Sequence, residues 1–254
     1  MSGHSKWAQI RRSKGVNDAR RGQLFTRLGR EIVVAVREGG SGDPNANFRL
    51  RMAIQRARDA NMPMDNIERT IKRALGGSEG AALEEISYEG YGPGGTALLV
   101  DALTENRNRT VAEVRNAFNR NGGNLGENGC VDWLFEAKGI IEMELKGHDP
   151  DELSLEALDL GADDVDPVGP DDETLTIYTD PSDLERIRQA LEAKKYEVVK
   201  AESTMLPKTR IEINDEKVAH QVMRLVEKLE DLDDVQNVYT NADFPEAFVA
   251  SFEG

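Results

Sequence analysis

The sequence predicts an α+β protein of three domains, an N-terminal helical domain followed by two ferredoxin-like α/β domains, one inserted in the other. Three observations lead there. Apolar residues recur at helical spacing through the first 75 residues. From about residue 81, short strand-like runs alternate with helical patterns. The charge also changes sign between these regions: residues 1–75 hold 16 Lys and Arg against 7 Asp and Glu, a net +9, whereas residues 76–254 hold 16 against 40, a net −24.

In the first region, Leu24, Leu28, Ile32, Ala35 and Val36 form one apolar helix face, and Gly39-Gly40-Ser41-Gly42-Asp43-Pro44 breaks the chain. Ala46, Leu50, Ala53, Ala57 and Ala60 give a second face. Pro63 reads as a first-turn residue of a third helix, with Asp65 favouring its positive end and Ile67, Ile71, Ala74 and Leu75 on its buried side. Gly76-Gly77 ends it.

Beyond residue 81, strands are expected at Ile86 to Glu89 and Thr96 to Ala102, around the glycine turn Gly90 to Gly95. Thr110 and Glu113 fit a capping box opening a helix with Val111, Val114, Ala117 and Phe118 on its apolar face, and Gly122-Gly123 closes it. Residues 131–145 read as two strands around a turn at Ala137-Lys138-Gly139. A helix at Leu153 to Leu160, a strand at Thr174 to Tyr178, a helix at Pro181 to Lys194 capped by Asp180, and a strand at Tyr196 to Ala201 follow. Thr209 to Ile213, a helix from Asp215 through Leu229 and a strand at Val235 to Tyr239 complete the pattern. The expected boundaries are 1–78 for the helical domain, 79–129 with 206–254 for a discontinuous α/β domain, and 130–205 for the inserted one.

The 254 residues include one cysteine, Cys130, which excludes an internal disulfide framework. The longest apolar run, Ile32 to Val36, is far short of the ~20 residues of a membrane span, so no membrane partner is expected. Met1 to Lys6 lacks the apolar core of a secretory signal. No phosphate loop of the Gly-x-x-x-x-Gly-Lys-Ser/Thr type occurs, and Gly90 to Gly95 lacks the Lys and hydroxyl a nucleotide site uses. His4, His148 and His220 are too scattered for a zinc site. No catalytic residue, cofactor, metal or small-molecule substrate is therefore expected. The acidic clusters Asp163 to Glu173 and Glu227 to Asp234 read as solvated surface.

The net charge of −15 weighs against a polyanionic partner only if it is spread evenly, and it is not. The basic region points to nucleic acid. Its opening segment carries His4, Lys6, Trp7, Arg11, Arg12, Lys14, Arg20 and Arg21, a mixture able to follow a phosphate backbone, with Trp7 able to stack on a base or to anchor the arm. The helices add Arg27, Arg30, Arg49, Arg56, Arg69, Lys72 and Arg73. No helix-turn-helix with an identifiable recognition helix is readable.

Several separated motifs are also similar to one family. Gly3-His4-Ser5-Lys6-Trp7, Asp18-Ala19-Arg20-Arg21-Gly22, Ala60-Asn61-Met62-Pro63, Tyr88 to Gly95, Thr104 to Thr110 and Gly122 to Gly126 resemble, in order, those of the YebC family, over essentially the whole chain. The resemblance implies the three-domain arrangement and cytoplasmic, DNA-binding transcriptional regulation. It also implies a link to translation, because the family includes a mitochondrial translational activator and bacterial members associated with ribosomes and relief of stalling. The expected function is a non-enzymatic regulator contacting ribosomal RNA and the ribosome; the alternative is a regulator bound to promoter DNA.

Overall fold

The computed structural model describes residues 18–76, 83–169 and 172–252. It is a mixed α+β structure with N-terminal helices and sheets made chiefly of antiparallel strands. Two compact units are present. One is Leu134–Thr209; the other combines the described residues through Trp133 with those from Arg210 onward.

The second unit opens with α1 (Asp18–Gly39), α2 (Phe48–Asp59) and α3 (Met64–Leu75). Leu28, Ile32 and Val36 of α1 meet Leu50, Ala53 and Ala57 of α2 and Ile67 of α3 in a buried cluster. The apolar spacing dictates this packing, because residues three and four apart share one helix face. Asn47 fixes the α1–α2 corner. Its side-chain oxygen accepts from Leu50 N at 3.0 Å, capping α2, and its amide nitrogen donates to Ala35 O at 2.7 Å and Ser41 O at 3.1 Å. Gly39 is required there, since a Cβ would come within 2.1 Å of the Asn47 amide.

One detail of these helices differs from expectation. Pro63 occupies the N-cap with extended ψ (137°) rather than the first helical turn, so α3 starts one residue later, at Met64. Gly76 ends α3 as expected, at φ −72° and ψ 0°, with its N–H donating to Lys72 O. Gly77 lies outside the described residues.

The same unit continues with β1 (Glu84–Tyr91), β2 (Ala97–Thr104), α4 (Arg107–Arg120) and β3 (Asn124–Leu125). β1 and β2 pair antiparallel from Glu84↔Thr104 to Tyr91↔Ala97. The glycine segment joins them as a turn, closed by Gly92 N donating to Thr96 O, with Gly94 and Gly95 at positive φ.

The chain then forms the Leu134–Thr209 unit. It comprises β4 (Phe135–Glu144), α5 (Pro150–Asp159), β5 (Asp164–Val165), β6 (Thr174–Thr179), α6 (Leu184–Ala193) and β7 (Val198–Pro207). The sheet order is β5-β6-β4-β7, and every pair is antiparallel. Ile141, Met143, Leu153, Leu175, Ile177, Ile187 and Leu191 fill its core. The expected hairpin at Ala137-Lys138-Gly139 is not formed: these residues lie inside β4, paired with β7. Gly139 serves close approach rather than a turn, because a Cβ would lie 2.3 Å from Thr179 Oγ1. The helix expected from Pro181 starts at Leu184, since Asp180 closes a preceding turn by accepting from Ser182 N.

The chain returns through β8 (Ile211–Glu212), α7 (Glu216–Glu230), β9 (Val235–Thr240), β10 (Ala242–Asp243) and α8 (Glu246–Ala250). Asp215 caps α7 by accepting from Val218 N at 3.0 Å. β9 joins β2, giving the order β3-β1-β2-β9, so residues 138 and 133 positions apart in sequence become neighbours at Val100↔Val238 and Ala102↔Val235. α4 and α7 pack on this sheet through Val114, Phe118, Leu225 and Leu229.

Candidate nucleic-acid interface

α1 and α3 are held against one another by the apolar cluster, and their outer flanks enclose a groove of about 660 Å³. Phe25, Thr26, Gly29, Arg30, Val33 and Arg37 line it from α1. Asn66, Arg69, Thr70, Arg73 and Ala74 line it from α3, and Met62, Leu83 and Glu105 complete it. The wall residues of α3 lie three and four apart, so they form one stripe, and those of α1 do likewise. Among the described residues, four guanidinium groups and one carboxylate thus line a partly apolar groove.

The basic residues singled out from the sequence fall into separate groups. His4, Lys6, Trp7, Arg11, Arg12 and Lys14 lie outside the described residues; Arg20 and Arg21 lie on α1, with their side chains undescribed. Arg49 is paired with Glu38 and Glu85, and Arg56 with Glu31 at 2.7 Å. Burial pulls the Arg27 guanidinium below its ordinary range, opposed by Asp231 and Asp233. Arg69, Lys72 and Arg73 are exposed on α3, with no ion-pair partner among the described residues. The groove therefore brings together Arg30, Arg69 and Arg73 and leaves out Arg49, Arg56 and Lys72.

Arg30 is anchored. Its Nη1 donates to Asp234 Oδ1 at 2.8 Å and to the carbonyl of Asp233 at 2.8 Å. Asp234 is 1 % exposed and accepts on its other oxygen from Arg109 at 2.6 Å, Thr110 at 2.7 Å and Thr104 at 3.1 Å. Burial alone would push this carboxyl up; the donors from Arg109, Thr110 and Thr104 outweigh it and hold it below its usual range. Asp234 is thus no member of a solvated acidic surface. It ties α1 to the β2–α4 corner and sets one wall of the groove. Asp163 and Asp166 are engaged as well, with Lys138 at 2.7 Å and the Tyr178 hydroxyl at 2.8 Å.

The same corner corrects the expected capping box. Asn106 is the N-cap of α4, accepting from Arg109 N at 3.1 Å. Thr110 lies one turn inside, buried, with its hydroxyl on Asp234 and Thr104. The segment Thr104 to Thr110 supplies three side-chain donors to one carboxylate 124 or more residues away.

Sequence reasoning missed Arg37, Asn66, Thr26, Thr70 and Gly29 as groove residues. The spacing Asn66, Arg69, Thr70, Arg73 carries a readable signal for a polar stripe on one helix face. Nothing in the sequence announces that α1 supplies the facing wall.

Residues 5–77 match the family model described as TACO1/YebC protein N-terminal domain, and residues 83–242 match the model described as TACO1/YebC second and third domain. A "probable transcriptional regulatory protein" of Chloroflexus aurantiacus is 61 % identical over 255 residues, covering 100 % of both chains. Another of that description, from Moorella thermoacetica, is 54 % identical over 250 residues, covering 98 % of each. The crystal structure of a conserved hypothetical protein from Aquifex aeolicus superposes with a TM-score of 0.79 at 48 % identity, covering 90 % of this chain and 93 % of that one.

Proposed function

This chain belongs to the TACO1/YebC family, and from that membership we propose that it is a non-enzymatic nucleic-acid-binding regulator of gene expression that contacts ribosomal RNA and relieves stalled translation in the cytoplasm. The observation that carries the reading is the arginine groove: Arg37, Arg69 and Arg73 converge on one concavity and have no ion-pair partner among the described residues. Unneutralised guanidiniums arranged along a groove are the electrostatic footprint of phosphate binding. The arm residues His4, Lys6, Trp7, Arg11, Arg12, Lys14, Arg20 and Arg21 extend this contact, with Lys72 beside it. Arg27, Arg30, Arg49 and Arg56 act at its border.

Three domains serve this function in our reading, with the boundaries 1–78, 79–129 plus 206–254, and 130–205. The β4-α5-β5-β6-α6-β7 succession supports a ferredoxin-like inserted domain. Its role, with the acidic body, is to keep the binding to one face.

The second reading, promoter-bound transcriptional regulation, is favoured by the names of the relatives. A recognition helix projects into a major groove, whereas the polar stripe of α3 faces α1 across a concavity, which supports RNA. Crosslinking the protein in cells and sequencing the bound nucleic acid tests the choice. Ribosomal RNA concentrated near one site, lost in Arg69→Glu/Arg73→Glu, is the expected result. Promoter fragments in its place would overturn it.

A further inference from the structure

We propose that the groove between α1 and α3 is a pocket for one unpaired nucleotide, with its phosphate on Arg37, Arg69 and Arg73 and its base on the apolar floor. This inference rests on the nucleic-acid reading above and goes further, since it names the form of the ligand.

The chemistry of the walls carries it. A site for phosphate alone needs donors, but this groove also has Phe25, Val33, Met62 and Leu83 in its lining. Stacked bases in a duplex hide their faces, so an apolar floor beside cations suits a base that has left the stack. The groove volume, about 660 Å³, lies in the range that accommodates small organic molecules. The Asn66 carboxamide is half-buried and has no hydrogen-bond partner among the described residues. It carries both a donor and an acceptor, the pair needed to meet a base edge. Glu105 is the one carboxylate of the lining among the described residues, so the phosphate belongs with Arg37, Arg69 and Arg73 and away from it.

Gly29 is the independent observation. It lies inside α1, where glycine is the least favourable residue after proline. Gly90 and Gly139 have a local reason, since a Cβ there would approach neighbouring atoms to 2.6 Å and 2.3 Å, whereas Gly29, like Gly22 earlier in the same helix, has none. At Gly29 nothing described lies within 4 Å of such an atom, and φ is not positive. Neither packing nor backbone geometry calls for glycine there. Its effect is to leave the groove wall open.

The test uses the full chain and four fluorescent probes: an RNA hairpin with one bulged 2-aminopurine, the same hairpin fully paired, and the DNA counterpart of each. The bulged probe should bind about tenfold more tightly than the paired one, the worth of one held base, with a change in 2-aminopurine emission. Gly29→Leu fills the groove without altering charge. It should bring the bulged probe's affinity down to that of the paired one. Gly29→Ala, a small side chain on the same wall, should fold and keep the preference. Thr70→Leu fills the groove from α3 and replaces Gly29→Leu if the latter does not fold. An undiminished tenfold preference in the filled variants, or none in the unmodified protein, overturns the pocket. Failure of the unmodified protein to bind any probe at low salt would instead overturn nucleic-acid binding itself. The RNA or DNA pair that carries the preference identifies the sugar.

Discussion

Replacing Arg37, Arg69 and Arg73 together with alanine should weaken binding in a way that only counterion release explains. Each phosphate neutralised on a single strand contributes about 0.7 to the slope of log K against log salt. Three groove arginines therefore account for a slope of about 2. Between about 50 and 200 mM salt, a slope of 2 is worth about 15-fold in affinity, so the variant should lose that much less of its binding across the range. None of the three has an ion-pair partner among the described residues, and all are exposed, so their removal should change stability by less than about 0.5 kcal/mol. The assay is anisotropy titration of an unstructured RNA oligonucleotide at four salt concentrations. Arg49→Ala is the control: flanked by Glu38 and Glu85, it should move the slope by less than about 0.5. A triple variant with the unmodified protein's slope, or a control that shifts it as far, would refute the assignment of phosphate contacts to the groove.

Two further outcomes follow from the buried carboxylates. Asp234→Asn should cost about 2–3 kcal/mol of stability, less than a fully dry ion pair because Arg109 is half-exposed. The folded-state carboxyl lies below its usual value, so its contribution is present above about pH 4 and is lost as pH falls through the folded pKa. Melting curves of the two proteins should accordingly converge in acid, and a gap that persists there would contradict the account. Glu89 is 6 % exposed and accepts from Gly129 N, Val131 N and Asp132 N at 2.6–2.8 Å. Burial pushes its carboxyl up, but these three donors prevail and hold it low. Glu89→Gln substitutes an amide nitrogen for one acceptor and should cost about 2 kcal/mol, read as faster hydrogen exchange at residues 129, 131 and 132; unchanged exchange would show that the carboxylate does not hold the loop.

Much of the fold was legible because its signals are local. Helix faces in residues 18–75 follow from three-and-four spacing, and Asp215 caps α7 as its position suggests. The failures share a cause: a partner distant in sequence overrode a local signal. Gly139 resembles a turn residue until Thr179 and Leu184 are brought against it. Thr110 resembles a cap until Asp234 arrives from 124 residues away. Asp234 itself sits in an acidic run that reads as solvated, and only the pairing of β9 with β2 buries it beneath Thr104.

The candidate site was legible in composition but not in place. A basic +9 segment marks the end of the chain that meets a polyanion, yet charge counting treats every arginine alike. The structure separates arginines already matched by carboxylates from those that are not. Arg30, Arg49 and Arg56 have Asp234, Glu38, Glu85 and Glu31 beside them, so contact with a phosphate would exchange one anion for another. Arg37, Arg69 and Arg73 offer uncompensated charge. Phosphate affinity should therefore concentrate on the groove although it holds only a few of the basic residues. Asp234 then acts on binding without touching the ligand: by fixing Arg30 at 2.8 Å it fixes the α1 wall against which α3 presents Arg69 and Arg73.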